Sequence, residues 1–378
     1  MAEVWPWVPQ ALNEVLEFET DVKMARSAEW RDSFKDATQF LTLTHTLQTV
    51  AAEKLIAKVK TNALGEWLVP EWPNVTVIKT GLAMDEVEIP VDIPAAYTVG
   101  QFVFVGFDEN QWEQGTVASI ETDSITLEVG LTVAYAGSAI RPVHVAPMAL
   151  CVAPGGVNFQ STYSRQSLSA QFMAIEPQDL SGNAYPLHAG LPVVTDGAVA
   201  FQPLSGGMNQ AGDLFSSGFG AYALQEVETY TRRRGTISWY DKGSATRWAR
   251  RQFIHFLRGR DGAFWLPTGQ KDLVLVNAVS SGVGAILVRP TEPNAAMVGR
   301  RITLSEGNNS VTREVLGASS VGNDQLLTIA APGVAFSVNA VVSLTTKSRL
   351  DSDQVALDYF FAAGGLASTC VLPTVEVP

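Results

Sequence analysis

The pattern of apolar and polar positions predicts the same series of elements twice along the chain. Each series opens on an alternating β segment, at 39–44 and again at 235–240. A helix of about four turns follows in each, over roughly 46–62 and 244–258, and leads through a turn into a strand centred on a Trp-Leu pair. A period of two residues is typical of a half-buried strand, and a period of 3.6 is typical of an amphipathic helix.

An offset of 198 residues brings the two series into register. It places Trp67-Leu68 on Trp265-Leu266, and a neighbouring offset of 199 places Val99-Gly100 on Val298-Gly299. The apolar stripe of the first helix maps onto the second helix without a gap, since Val50, Leu55, Ile56 and Val59 fall on Trp248, Phe253, Ile254 and Leu257. The sequence therefore predicts an internal duplication.

Short strands punctuated by Gly, Asn and Asp follow each Trp-Leu strand, with the spacing of a small β-barrel or sandwich. We predict an α+β, β-rich chain of two tandem copies of a β-segment, helix and small β-barrel or sandwich unit, joined by a long loop-rich linker. The predicted divisions are an N-terminal arm at 1–19, a first repeat at 20–176 with its small β domain at about 75–146, the linker at 177–224, and a second repeat at 225–378 with its small β domain at about 272–347.

The N-terminal arm is too apolar for a solvated tail because it carries Trp5, Trp7 and two prolines. It either packs on its own domain or docks on a neighbouring molecule. The linker is rich in Gly, Ser and Asn, and a segment of this length without clear periodicity is usually functional, ordered by a partner or mobile.

The composition argues against several classes of protein. A net charge of −12 over 378 residues argues against a protein that grips DNA by its phosphates. The chain contains no run of eighteen apolar residues, so we expect no membrane span. The N-terminal residues do not resemble a signal peptide. The two cysteines, Cys151 and Cys370, fit neither a zinc site nor a disulfide framework.

No arrangement of residues in the sequence indicates catalysis. The four histidines have no metal-ligand spacing, and His45 and His255 are best interpreted as structural. Asp351 and Asp353 fall far short of a calcium loop. Nucleophile-elbow and phosphate-loop motifs are absent as well. We therefore expect a protein that is not an enzyme, with no catalytic, metal or cofactor-binding residues and no cofactor.

Nine basic residues lie between Arg232 and Arg260, and only Asp241 opposes them there. Three interpretations of this basic segment are open. Its side chains pair with acidic groups inside the chain, such as those of the acidic first copy, or they meet an acidic neighbouring subunit. The third possibility is direct contact with DNA. The third possibility has the least support, because no aromatic interleaving accompanies the charge. The candidate interface residues from this region and from the tryptophans are Trp5, Trp7, Trp112, Arg232, Arg233, Arg234, Arg247, Arg251, Arg258 and Arg260.

Two stretches of sequence resemble siphophage minor tail proteins, specifically the distal tail and tail-tip (baseplate) components. The first runs Leu16-Glu17-Phe18-Glu19-Thr20-Asp21-Val22 and continues from Ser27 to Arg31. The second, which fits better, is Gly259-Arg260-Asp261-Gly262-Ala263-Phe264-Trp265-Leu266-Pro267 followed by Asp272-Leu273. Where the family has a basic stretch, this chain carries Glu29 to Asp36.

The resemblance implies a structural virion protein, made in the host cytoplasm and located at the distal end of a phage tail. Such proteins form a ring that joins the tail tube to the baseplate hub or tail tip, near the tape-measure protein. DNA passes through the ring without being specifically bound. Two copies per chain allow three chains to present six similar units, and a ring of six chains is the alternative.

Two other functions remain open from the sequence. A receptor- or glycan-binding module of the tail tip would use an exposed aromatic such as Trp112, although a tryptophan there also suits a hairpin at a subunit contact. A peptidoglycan hydrolase would require an acid/base pair or a metal cluster, and the sequence offers no convincing example of either.

Overall fold

The computed structural model describes residues 2–24, 28–62, 65–161, 165–178, 180, 182–196, 207–209, 212–216, 222–226, 231–362 and 365–378. Strands hold 54% of these residues and helices 11%. The chain is therefore β-rich, as predicted. Nearly all of its strand pairs are antiparallel. Within the described part of the chain, no helix is long and apolar enough to span a lipid bilayer.

The elements of the first half of the chain alternate between long sheet strands and short strands of a small β domain. The helix is α1 (Thr49–Thr61), and 3-10 turns cover Trp72–Asn74 and Pro94–Ala96. The strands are β1 (Glu3–Val4), β2 (Ala11–Met24), β3 (Glu29–Gln48), β4 (Glu66–Pro70), β5 (Thr76–Ile78), β6 (Glu88–Pro90), β7 (Phe102–Asp108), β8 (Gln111–Ile120), β9 (Ser124–Leu127), β10 (Val143–Val152), β11 (Val157–Ser161) and β12 (Arg165–Ala174).

The remaining elements follow a comparable order after a central segment of short strands. The helices are α2 (Ser244–Leu257) and the single-turn α3 (Asn294–Met297). The strands are β13 (Leu187–His188), β14 (Leu191–Pro192), β15 (Gly207–Asn209), β16 (Gly212–Ser216), β17 (Tyr222–Glu226), β18 (Arg232–Asp241), β19 (Ala263–Pro267), β20 (Ala285–Val288), β21 (Arg301–Glu306), β22 (Asn309–Val321), β23 (Asp324–Ile329), β24 (Val341–Leu350), β25 (Gln354–Ala362) and β26 (Gly365–Glu376).

One antiparallel sheet of eight strands runs through both halves of the chain. Its order is β11-β12-β3-β2-β25-β26-β18-β15. Strand β2 lies at the middle, because it pairs with β3 on one side and with β25 on the other. We call the pairing of β2 with β25 the junction. It runs from Ala11 opposite Phe360 to Glu17 opposite Gln354.

Strand β2 alternates as a half-buried strand should. Leu12, Glu14, Leu16 and Phe18 point into the core, and the residues between them lie half-exposed. This strand crosses position 19 without a break. The predicted boundary between an N-terminal arm and the first repeat therefore falls inside a strand, and residues 11–19 belong to the sheet.

The two small β domains each have a separate hydrophobic core. The first core extends from Ile78 to Val145 and the second from Leu273 to Val342. A third and larger core lies between the eight-stranded sheet and the two long helices, and it contains residues of both halves.

The two long helices occupy the predicted positions within a few residues. Helix α2 buries Phe253, Ile254 and Leu257 against the sheet, as its apolar stripe predicts. Helix α1 buries Leu55 and Ala52, whereas Val50 is 72% exposed. The stripe predicted for α1 is therefore wrong at its first position, because Val50 lies on the side of the first helical turn that faces away from the core.

The predicted loop-rich linker at 177–224 contains regular structure where it is described. Strands β13 and β14 form one short hairpin, and β16 and β17 form another. Strand β15 joins the edge of the main sheet. Within the linker, residues 179, 181, 197–206, 210–211 and 217–221 lie outside the described residues.

Candidate functional site

A cluster of buried polar side chains lies at the centre of the molecule, beneath the junction. Strands β2, β3 and β25, helix α2 and the 3-10 turn at Trp72–Asn74 with the residue before it supply its members. We call it the central polar cluster, and it consists of Glu14, Gln39, Glu71, Asn74, Arg251 and Tyr359.

Arg251 and Glu14 form a two-point ion pair at the centre of this cluster. The distance from Arg251 Nη2 to Glu14 Oε1 is 2.7 Å, and the distance from Arg251 Nε to Glu14 Oε2 is 3.1 Å. Both side chains are essentially inaccessible to solvent. The planar guanidinium suits a carboxylate in this geometry because it donates two parallel hydrogen bonds.

The remaining hydrogen-bonding capacity of the pair is also used. Tyr359 Oη donates to Glu14 Oε2 at 2.6 Å, and Gln39 Nε2 donates to Glu14 Oε1 at 2.7 Å. Arg251 Nη1 donates to Asn74 Oδ1 at 2.7 Å. Burial by itself raises the pKa of Glu14, but the charge of Arg251 and these hydrogen bonds outweigh it and hold the pKa below its ordinary value.

Glu71 has the opposite electrostatic character although it belongs to the same cluster. Asn74 Nδ2 donates to its Oε2 at 3.1 Å. Burial raises the pKa of Glu71 to about 7, and the attraction of Arg251 and the Asn74 hydrogen bond offset this only in part. The cluster therefore contains one carboxyl group, Glu14, whose pKa is lowered, and one, Glu71, whose pKa is raised to about 7.

A second buried ion cluster fastens the distal part of the β2–β3 hairpin to the second half of the chain. Glu29 of β3 accepts from Arg232 Nη1 at 2.9 Å and from Arg349 Nη2 at 3.3 Å. Only 2% of the Glu29 side chain is exposed, and both arginines are nearly as buried. Burial raises the pKa of Glu29, but the two arginines outweigh this and lower it.

Two further arginines pair within the chain. Arg250 contacts Asp241 at 3.3 Å, forms an ion pair with Asp196, and stacks on Trp239 with its guanidinium carbon 3.9 Å from the ring centroid. Arg260 Nε donates to Asp353 Oδ2 at 2.9 Å. Asp351 and Asp353, whose spacing falls far short of a calcium loop, therefore both contact arginines.

The basic residues between Arg232 and Arg260 thus divide into an inner and an outer group. Arg247 is also buried, and its Nη1 donates to the Leu366 carbonyl. Arg233, Arg234 and Arg258 are exposed, and Arg234 lies 3.7 Å from Asp351. Arg232, Arg247 and Arg251 must accordingly be removed from the candidate interface residues, because they pair inside this chain, with Glu29, Leu366 and Glu14 respectively.

The tryptophans of the N-terminal segment also have an internal role. Trp5 is fully buried and its Nε1 donates to His45 Nε2 at 3.2 Å. Its ring meets Phe172 edge-on, with 4.9 Å between centroids, and Trp7 packs beside it at 5.3 Å. Burial lowers the pKa of His45 to about 4, so this histidine is neutral. Of the two possibilities for this segment, packing on its own chain is the one that the structure contains.

Trp112 lies on β8, at the mouth of the first small β domain. Its ring stacks on Phe104 at 5.9 Å between centroids with 14° between the planes. One face of the indole is therefore occupied, and the residue is half-buried. This reduces its suitability as an open platform for a sugar ring.

A cavity of about 290 Å³ opens between the end of the main sheet and the second small β domain. Residues with hydroxyl side chains from five strands line much of it, among them Thr303, Ser343 and Thr374. Arg233, Arg234 and Glu376 lie at its wall. It is open to solvent, in contrast to the central polar cluster.

The alternating pattern of strand β2 contains a signal for the burial of Glu14 that the sequence-based prediction did not use. Glu14 occupies an inward position of the alternating strand β2, between Leu12 and Leu16. A charged residue in such a position requires a buried partner. The pattern could therefore have identified Glu14 as the partner of a buried arginine, although it could not have named Arg251.

The arrangement as a whole fastens distant parts of the chain together. The central polar cluster has no access to solvent, so it cannot meet a substrate in this conformation. Features that are accessible to a partner molecule include the sheet edges, the exposed arginines and the hydroxyl-lined cavity. No model of a known protein family matches this chain, and no curated protein sequence matches it.

Proposed function

We propose that this chain is a structural protein of a tailed phage particle that forms a ring at the distal end of the tail. In this role it joins the tail tube to the baseplate hub or tail tip and surrounds the path of the DNA. The observation that carries the proposal is the eight-stranded sheet, which consists of two four-stranded units joined edge to edge. A unit that already joins one copy of itself is suited to join more.

The two units have the same strand order, which supports an internal duplication. The first unit reads β2-β3-β12-β11, and the second reads β15-β18-β26-β25. In each, the helix follows the second strand. The register also repeats, because Leu41 lies opposite Phe172 and Trp239 lies opposite Cys370. Both members of the second pair are 198 residues beyond those of the first, which is the offset found in the sequence.

Two equivalent turns inside the small β domains support the duplication independently. Gly100 donates its backbone N–H to Val117 at 2.8 Å, and Gly299 donates to Val315 at the same distance. Both glycines have φ near +84°, a conformation that favours glycine. They are 199 residues apart, as the sequence comparison predicts.

The charge distribution fits a ring through which DNA passes without binding. The chain carries a net charge of −12, and several of its arginines are neutralised by buried acidic partners. A surface with few free cations has little affinity for phosphates. We therefore propose that the ring does not bind DNA specifically and requires no cofactor or catalysis.

The number of chains in the ring decides how the duplication is used. Three chains would present six similar units to a sixfold tail tube, whereas six chains would place one copy of each chain on the ring and the other copy outside it. Native mass spectrometry of the purified protein distinguishes these from the mass of 40.6 kDa per chain. A protein that stays monomeric at high concentration would contradict the ring in either form.

The place of the protein in the particle requires a separate test. We propose the tail tube protein, the tape-measure protein and the baseplate hub or tail-tip proteins as its partners. Electron microscopy of intact particles, with a gold-labelled antibody against this chain, is expected to mark the junction of tube and tip. Labelling along the whole tail, or on the capsid, would contradict the proposal.

The hydroxyl-lined cavity supports a second candidate function, the binding of a receptor glycan. Its lining of Thr and Ser side chains with two arginines offers donors and acceptors to a polyhydroxylated ligand. A glycan array with the assembled protein tests this, with Ser305→Ala as the variant that removes one lining hydroxyl. Binding that is unaffected by this change would place the glycan elsewhere, and an array without binding would remove this function.

A further inference from the structure

The two outer strands of the eight-stranded sheet are β11 and β15. Among the described residues, β11 pairs only with β12, and β15 pairs only with β18. Both edges carry exposed apolar side chains, since Phe159 of β11 is 58% exposed and Met208 of β15 is 79% exposed. An open sheet edge with apolar side chains is a template for pairing with another strand, and native proteins rarely leave one uncovered.

The junction inside the chain indicates what covers these edges. There, β2 pairs with β25; counted in chain order, β2 is the first strand of the first unit and β25 is the third strand of the second unit. In the same chain order, β15 is the first strand of the second unit and β11 is the third strand of the first unit. The two open edges are therefore the same two kinds of strand that the junction brings together.

Strand direction is also compatible with this pairing. All seven pairings in the sheet are antiparallel. Because directions alternate across eight strands, the two outer strands run in opposite directions. A β11 edge placed against a β15 edge of a molecule in the same orientation is then antiparallel too, as the junction is.

We propose that β11 of one chain pairs with β15 of a second copy of this chain, which repeats the junction between molecules. This inference rests on the proposed ring and specifies how the ring is held. The contact is head to tail, because two different edges meet, and such contacts close into rings when the rotation allows. The same two edges do not meet within one chain among the residues that the structure describes.

Site-directed crosslinking tests the pairing. A double variant with Phe159→Cys and Met208→Cys is treated with a short bismaleimide, a reagent that tolerates a small error in register. Both native cysteines are buried and should not react in the folded protein. We expect covalent dimers and higher species up to the full ring from the double variant, and only monomers from either single variant. Self-crosslinking of a single variant would overturn the head-to-tail contact.

A charge variant gives an independent measurement. Phe159→Lys introduces a charge on the β11 edge, which discourages strand pairing. Its control is Phe34→Lys, which replaces a similarly exposed aromatic (66%) on β3, a strand that is neither of the two outer strands. We expect Phe159→Lys to weaken assembly at least tenfold by concentration-dependent mass measurement, with the control unchanged.

The possible outcomes separate this inference from the proposed function. A ring of the expected mass that gives no crosslink and tolerates Phe159→Lys would overturn the edge pairing and leave the ring intact. Crosslinks in open chains of indefinite length would support the edge pairing and contradict the closed ring. A monomer under all conditions would overturn both.

Discussion

Arg251 of helix α2 and Glu14 of strand β2 are 237 residues apart in sequence and form a two-point ion pair in the centre of the molecule. Neither side chain has contact with solvent. The pair joins the first strand of the first unit to the helix of the second. The two halves of the chain are therefore held by a buried charge contact in addition to the hydrogen bonds of the junction.

Removal of one partner of the Arg251–Glu14 pair should lower the free energy of unfolding more than removal of both partners. Arg251→Met leaves the Glu14 carboxylate buried without a counter-charge, and we expect the free energy of unfolding to fall by about 3–5 kcal/mol. The double variant with Glu14→Leu removes both charges, and we expect a smaller loss because no uncompensated charge remains. Urea denaturation of the three proteins measures the difference. Equal stability of single and double variants would show that the buried charge is not the source of the loss.

Glu71 should make stability depend on pH near neutrality. The unfolded carboxyl ionises near pH 4.5, whereas the folded carboxyl keeps its proton until about pH 7. The folded state thus binds more protons in this interval, so stability falls as pH rises through it, by up to about 3 kcal/mol. Glu71→Gln is neutral at every pH and should remove this loss.

The variant is best compared with wild type at two pH values. At pH 5 the two proteins should unfold at similar denaturant concentrations, and at pH 8 Glu71→Gln should be the more stable. Glu128→Gln, at an exposed position, serves as the control and should behave as wild type at both. A constant difference between Glu71→Gln and wild type across this range would contradict the shifted pKa.

Glu29 should control the mobility of the distal β2–β3 hairpin. Glu29→Gln removes the carboxylate that Arg232 and Arg349 share, and we expect the hairpin to open more often. Hydrogen exchange of residues 19–24 and 29–35 should accelerate by at least about tenfold, equivalent to about 1.4 kcal/mol of local stability. Asp21→Asn on the exposed face of the same hairpin should leave the exchange unchanged. Acceleration throughout the chain would indicate global destabilisation instead.

Trp5 should contribute to the stability of a single chain and not only to assembly. Trp5→Ala opens a large cavity beside Phe172 and His45, and we expect a loss of about 3–5 kcal/mol in the free energy of unfolding. Trp30→Ala removes the same side chain at a position that is 72% exposed, where we expect a loss below about 0.5 kcal/mol. Similar losses in both variants, measured by urea denaturation, would contradict the internal role of Trp5.

Local features of the sequence predicted the elements that depend on local patterns. The stripe of Phe253, Ile254 and Leu257 placed α2, and the Trp-Leu pairs placed β4 and β19. Val50 was assigned to this stripe in error, because at about 100° per residue it lies nearly opposite Leu55 and Val59 on the helix. The helical period alone places it on the face that points away from the core.

The contacts between distant segments could not be predicted. Nothing in the local pattern around Leu12 or Val355 indicates that these strands are neighbours, because strand pairing over such separations leaves no periodic signal. The arginine-rich segment was recognised as a unit, but the choice among its possible partners required the positions of Glu14 and Glu29. Residues such as Trp5 gave a correct signal of burial without its location.

The central position of β2 has a consequence for the synthesis of the protein. Asn13 of β2 donates a hydrogen bond to Asp358 of β25, 345 residues later in the chain. At the usual rate of translation, β25 leaves the ribosome roughly 17–70 s after β2. Throughout this time β2 has one open edge in every nascent chain, and neighbouring chains on the same messenger present the same edge. The order of synthesis therefore favours early folding of the β2–β3 hairpin and exposes it to premature association, a hazard that chaperones would have to limit.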